Sequence, residues 1–422
     1  MIRIAHLITD LDVGGAETML VRLVGAMNRA EFDNHVISLL PVGPLGGPLE
    51  DLGIPVQLLA MRRGRPRAAA MARLAVMLRR IRPNILQTWL YHTDVLGTLA
   101  APLAGVRTLA WNVRALNVDM TPCRALSSAT RRMAGWLSRR PAAVIVNSAA
   151  GRAAHEAIGY RPRRWCLIPN GIECEVFRPD GEARASVRRS LGIDAAAPLV
   201  GLIARFHSMK GHHTFVQAAA SVCRRRPDVR VLLAGAGVDR ENGALREWLD
   251  AEGIAGRVSL LGARDDIAKL NAALDVAVMA STDGEGFPTA VAEAMACEVP
   301  CVVTDVGDAG SLVGDTGYAV PPRDAGALAD ACERLVAAGP EERRARVCTG
   351  PYASYATHDR ERAPDGRATL TAMSGIAGRF KFVSGAPVDA AIFTGVCDLV
   401  AHRGPDGAGV SATGTQVETG AG

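Results

Sequence analysis

Aromatic residues are scarce in this 422-residue chain: Phe, Trp and Tyr together make up 4% of it. With no recognisable nucleic-acid motif beside the basic residues, that scarcity argues against a nucleic-acid partner. The nine cysteines show no paired CxxC spacing, and no secretory signal precedes them, so they read as reduced, mostly buried thiols. No apolar run is long enough to span a bilayer. A cytoplasmic protein is expected.

What is present is the composition of a soluble globular protein, with 49% hydrophobic and 22% charged residues. The length exceeds a usual single core, so two domains are expected. The net charge of +5 hides an asymmetry: residues 1–180 hold 23 Lys and Arg against 13 Asp and Glu, whereas the remainder holds 25 against 30. A basic half suits an anionic lipid surface or an anionic acceptor. The helical stretch from Ala68, with Met71, Leu74, Leu78 and Ile81 along one side and arginines elsewhere, fits either lipid attachment or ordinary docking on a sheet, and core docking is the simpler reading.

Apolar strand-like runs alternate with helical patterns along most of the chain, which predicts parallel sheets of α/β type. In the first half the runs are Arg3 to Ile8, Val36 to Leu40, Val56 to Leu59, Asn84 to Tyr91, Thr108 to Val113 and Ala142 to Ser148. Ser148 suits the N-cap of a following helix. In the second half, runs begin at Leu199, Val229, Val258, Asp275 and Val299, and residues 265–274 read as a helix capped by its acidic residues. Between the last two runs lies Ser281-Thr-Asp-Gly-Glu285-Gly-Phe-Pro-Thr-Ala-Val-Ala-Glu293, read as a loop entering a helix with Pro288 at its first position. The amides of Gly286, Phe287 and Thr289 at that helix start favour phosphate. Two carboxylates beside a phosphate seat suit a ligand that carries both phosphates and hydroxyls, which a nucleotide-sugar does.

The Glu285-x7-Glu293 spacing, with its Glu-Gly-Phe-Pro and Glu-Ala-Met-Ala surroundings, resembles the signature of the retaining family 4 glycosyltransferases. The resemblance implies the GT-B arrangement: two Rossmann-like α/β domains facing across a cleft, residues 1–178 on the acceptor side and 179–347 holding the donor. Arg205-Phe-x3-Lys210-Gly211 matches the family's donor-binding element, and an Arg and a Lys on one loop can stabilise a diphosphate leaving group without metal. By resemblance, Arg205 and Lys210 hold the diphosphate, Glu285 the donor sugar, Glu293 the ribose, and the backbone near Arg264 the nucleobase. Gly14-Gly15, in Gly-Gly-Ala-Glu, would lie against the donor from the first domain. Asp10-Leu-Asp12 carries the Asp-x-Asp mark by which another glycosyltransferase class binds metal; ahead of a Gly-Gly turn it reads as a solvated loop, and neither metal nor cofactor is implied. His92 and Arg114, at strand ends, are acceptor-side candidates, with Arg114 in a loop where relatives place a histidine. A lipid-linked glycan acceptor, with the protein peripheral to the inner face of a membrane, follows from family and charge.

Two departures stand out. Glu298 replaces the glycine expected after Glu-Ala-Met-Ala-x, which predicts a left-handed backbone under local strain. Residues 348–372 read as an irregular linker, and Met373-Ser-Gly-Ile-Ala-Gly378 with His402-Arg-Gly-Pro-Asp-Gly407 resemble the opening of the glutamine amidotransferase domain of asparagine synthetases. The nucleophile position there is Ser374, with neither thiol nor terminal amine, so residues 373–422 are not expected to act as a glutaminase. Two alternatives to retaining sugar transfer stay open: a sugar-nucleotide epimerase on the same fold, and a donor-binding relic.

Overall fold

The computed structural model describes residues 1–61, 68–114 and 132–348. The expectations for the linker and the amidotransferase-like fragment fall outside that range.

The first sheet comprises β1 (Ile2–Ile8), β2 (Phe32–Ser38), β3 (Val56–Leu58), β4 (Ile85–Trp89), β5 (Thr108–Val113), β6 (Ala143–Val146) and β7 (Trp165–Leu167). The second comprises β8 (Leu199–Ile203), β9 (Arg230–Ala234), β10 (Val258–Leu260), β11 (Val276–Met279), β12 (Cys301–Thr304) and β13 (Tyr318–Val320). Every pairing is parallel, in the orders β3-β2-β1-β4-β5-β6-β7 and β10-β9-β8-β11-β12-β13. Helices cover both faces of each sheet, so inner strands such as β4, β5, β6, β11 and β12 are buried along their whole length. Each sheet has an apolar core on either face. The strand order reverses at β1/β4 and at β8/β11, where ligands bind in doubly wound sheets.

The Arg-rich helix Ala68–Ile81 buries Leu74, Leu78 and Ile81 against the first sheet and turns Arg73, Arg79 and Arg80 outward, the docking arrangement. Three expectations are corrected. The strand expected to run to Tyr91 ends at Trp89, because Leu90 takes a positive φ of 73° and a helix starts at Tyr91. The helix Ile267–Ala273 receives no side-chain cap from Asp266, whose carboxylate turns back to Arg264. Cys166 is disulfide-bonded, although Cys174, Cys223, Cys297, Cys301 and Cys332 are free thiols. Two helices not expected from sequence, Gly181–Ser190 and Pro340–Cys348, are polar overall and meet at one buried acid, Asp275.

Candidate active site

The carboxyl ends of both sheets face one cavity of about 750 Å³. From the first domain it receives Thr9 and Asp10 after β1, Leu90 to His92 after β4, Arg114 after β5, Asn147 after β6 and Asn170 after β7. The second domain sends the loop after β8, with Arg205 and Lys210, and the loop after β11, with Glu285 to Thr289. Fold chirality alone brings loops from distant parts of the chain to these sheet edges.

Lys210 and Glu285, 75 positions apart, meet on the second-domain wall: Nζ donates to Glu285 Oε1 at 2.5 Å, and Ser281 Oγ donates to the same oxygen at 2.6 Å. Two glycines make the loops possible. At Gly211, with φ of 64°, a Cβ would sit 1.8 Å from Ala280 O; at Gly307, with φ of 66°, it would sit 2.1 Å from Glu285 O. The helix Thr289–Ala296 starts one position later than expected, with Pro288 at its N-cap rather than its first turn and no side chain capping it. Its first turn therefore offers amides and positive dipole toward a cavity lined by Gly286, Phe287, Pro288 and Thr289.

On the opposite wall, Gly15 leaves open space beside the cavity. Gly14 does not line it; a Cβ there would meet the Glu17 carboxylate at 2.3 Å, so its smallness makes room for Glu17. Burial, then the nearby Asp10 and Asp12, pushes the Glu17 carboxyl above its ordinary value. Partial desolvation likewise pushes the His92 imidazole down, which favours its neutral form although the residue keeps an exposed face. Arg114 donates through Nε to Asn112 Oδ1 at 2.9 Å and through Nη1 to Asn170 Oδ1.

Of the residues singled out in the sequence, Gly15, Arg205, Lys210, Glu285, Gly286, Phe287, Pro288, His92 and Arg114 line this one cavity. Arg264 lies apart, in an exposed pair with Asp266. Glu293 faces the first domain, where Arg22 Nη2 approaches its Oε1 at 3.4 Å and Arg22 Nε lies 3.3 Å from Glu173. Burial raises the Glu293 carboxyl against the pull of Arg22. Sequence reasoning overlooked Glu17, Asn147 and Asn170, and gave Thr289 only the role of its backbone amide. Glu17 lies within Gly-Gly-Ala-Glu, but no local pattern shows that Asn170 Nδ2 donates across the cleft to Thr289 Oγ1 at 2.8 Å.

The profile of Glycosyltransferase Family 4 matches residues 13–176, and that of Glycosyl transferases group 1 matches residues 197–338. EpsF of Bacillus subtilis, described as a glycosyltransferase, is 27% identical over 72% of this chain and 79% of its own length. The lipopolysaccharide core biosynthesis mannosyltransferase LpsB of Rhizobium meliloti is 32% identical over 52% of this chain and 67% of its own. The crystal structure of Anabaena HepE in complex with UDP superposes with a TM-score of 0.74 at 24% identity, covering 88% of this chain and 97% of HepE, and so shares the fold. With one profile on each side of the cleft, and LpsB 32% identical over two thirds of its own length, the chain belongs to the family 4 glycosyltransferases and has the GT-B fold.

Proposed function

We propose that the protein transfers a hexose-type unit, with retention, from a nucleotide-sugar to an acceptor hydroxyl in the assembly of a cell-surface polysaccharide or glycolipid. The observation that carries this reading is the convergence of Lys210 and Glu285 beside the uncapped start of Thr289–Ala296. In the free enzyme the two charges satisfy each other. A bound donor exchanges them: Lys210 turns with Arg205 to the diphosphate, and Glu285 accepts hydrogen bonds from sugar hydroxyls. Charge developing on the leaving diphosphate is then met by cations and amides already in place, which stabilises the transition state. A leaving phosphate oxygen takes the acceptor's proton on the same face of the sugar.

Glu293 would accept the ribose hydroxyls, the backbone near Arg264 would meet the base, and Gly15, rather than Gly14, would close over the donor. HepE binds UDP, and LpsB, by its description a lipopolysaccharide core mannosyltransferase, supports a surface-glycan acceptor. A lipid-linked acceptor fits the outward arginines of Ala68–Ile81 on the first domain, which would bring the enzyme to an anionic inner membrane face.

Calorimetric titration with UDP, GDP and ADP in the absence of metal tests the donor site. One nucleotide should bind, and Lys210→Ala should weaken it roughly tenfold or more, as expected for a lost charge-assisted bond. Glu293→Ala should do the same; unchanged affinity in that variant would leave Glu293 only its link to Arg22. Nucleotide bound without transfer to any acceptor would favour the relic.

A further inference from the structure

Most cations set deep in this molecule have an acid to answer them. Arg184, Arg188 and Arg343 share Asp275, Arg22 lies between Glu173 and Glu293, and Lys210 holds Glu285. Arg114 differs. Its hydrogen-bond partners among the described residues are the neutral amide oxygens of Asn112 and Asn170, and its guanidinium lies 5.2 Å from the centroid of the Trp89 ring. Among the described residues no carboxylate pairs with it. Burial pushes it down to about 9, and among the described residues no neighbouring charge raises it again.

A guanidinium has five N–H donors in a rigid fork, and these contacts engage two of them. Trp89, Asn112 and Asn170 fix the plane of that fork at the edge of the cavity. Holding a partly desolvated charge there without a counter-ion is costly unless a ligand supplies one. The diphosphate does not need it, because Arg205, Lys210 and the start of Thr289–Ala296 serve that role from the second-domain wall. Arg114 belongs to the other wall, after β5, which also carries Tyr91 and His92.

We infer that Arg114 is the seat of an anionic group, phosphate or carboxylate, carried by the acceptor, so that this enzyme glycosylates an acidic sugar rather than a neutral one. The inference rests on the proposed function for the assignment of the first-domain wall to the acceptor. The planar fork can donate two parallel bonds to either group, and the imidazole of His92 is left for hydroxyls. A neutral acceptor would leave the guanidinium unanswered and bind more weakly for that reason.

The test is calorimetry on the full chain saturated with whichever of UDP, GDP and ADP binds, titrated with glucose 6-phosphate, glucuronate and, as neutral control, glucose. The wild type should bind at least one acid and bind glucose far more weakly. A preference between the two acids tells phosphate from carboxylate. Arg114→Gln should lose that binding roughly ten- to hundredfold, as expected for a bond to a charged group. Arg114→Lys, which keeps the charge and loses the fork, should fall between, and both variants should bind nucleotide as the wild type does, which also shows that they fold. Equal binding of the acid by Arg114→Gln, or no acid binding by the wild type, overturns the inference. Loss of nucleotide affinity in Arg114→Gln also overturns it, by giving the guanidinium to the donor. If no nucleotide binds the wild type, the donor-site reading fails separately, and the acids titrated into nucleotide-free protein decide the role of Arg114 by the same comparison.

Discussion

At the scale of single residues, Glu298 shows how far sequence can foretell backbone strain. The expected left-handed conformation is present, with φ of 61°. It closes the helix Thr289–Ala296 by a pair of bonds, Glu298 N to Met295 O at 2.9 Å and Val299 N to Ala294 O at 3.1 Å, the pattern in which glycine is preferred. What sequence did not foretell is that the carboxylate finds Arg344, with Oε2 and Nε 2.5 Å apart. That pair is largely exposed on the Arg344 side and contributes less than about 1 kcal/mol. Relief of the left-handed strain, about 1 kcal/mol or somewhat more, outweighs it. Glu298→Gly should therefore raise the denaturant midpoint modestly, and the gain should be larger when made in an Arg344→Ala background. No gain in either background would mean that the backbone at this position carries no strain. The site residues were legible for a similar reason: Arg205, Lys210, Gly211 and Glu285 lie in short contiguous motifs whose spacing is set by one strand and one turn. Arg114 and Asn170 do their work through each other, 56 positions apart, and no local pattern carries that pairing.

Among elements, legibility followed burial. Strands such as β5 and β12 are continuous apolar runs because helices cover both faces, and the helix Ala68–Ile81 announces its inner side by its leucine spacing. The helices Gly181–Ser190 and Pro340–Cys348 are polar, so periodicity did not reveal them; both are held by charge. Arg184 and Arg343 donate to Asp275 Oδ1 at 2.8 and 3.0 Å, Arg188 donates to Oδ2, and Leu199 N reaches Oδ2 at 2.8 Å. Burial would push the Asp275 carboxyl up, but Arg184, Arg188 and the Leu199 amide outweigh it and hold it below its ordinary value. A depressed carboxyl stabilises the fold above its unfolded value near 3.8, and that contribution is lost as pH falls through the folded value. Asp275→Asn leaves three guanidinium groups without their acid and should cost about 3 kcal/mol at pH 7, the low end for breaking a buried pair because Arg184 is partly exposed. Urea unfolding at pH 7 should show that loss, and the difference from wild type should shrink as the pH is lowered below the ordinary carboxylate range. A constant difference at every pH would assign the loss to packing instead.

At the scale of the whole molecule, the two domains were foreseeable, but the way they meet was not, because the bonds between them join residues far apart in the chain. Asp308, after β12, accepts from Ala149 N at 2.7 Å and from Ala150 N at 2.8 Å, across 159 and 158 positions. Ser148 Oγ takes the next amide, Gly151 N, at 3.0 Å, so the start of the helix Ala149–Ala157 is capped jointly by its own serine and by the other domain. The same Asp308 loop braces the donor site, since Asp308 N donates to Gly286 O at 3.1 Å. Asn170 to Thr289 and Arg22 to Glu293 add two further crossings on the same side of the cleft. Bonds from a carboxylate to helix-start amides contribute roughly 1.5–3 kcal/mol, enough to change a balance between open and closed forms tenfold or more. Asp308→Ala removes that acceptor while Ser148 still caps the helix, so the first domain should keep its own stability. Small-angle X-ray scattering of the nucleotide-free variant should give a larger radius of gyration than the wild type, and a saturating nucleotide should bring the two closer together. An unchanged radius would show that Asn170 and Arg22 hold the cleft without Asp308, and would move the hinge-setting role to those two contacts.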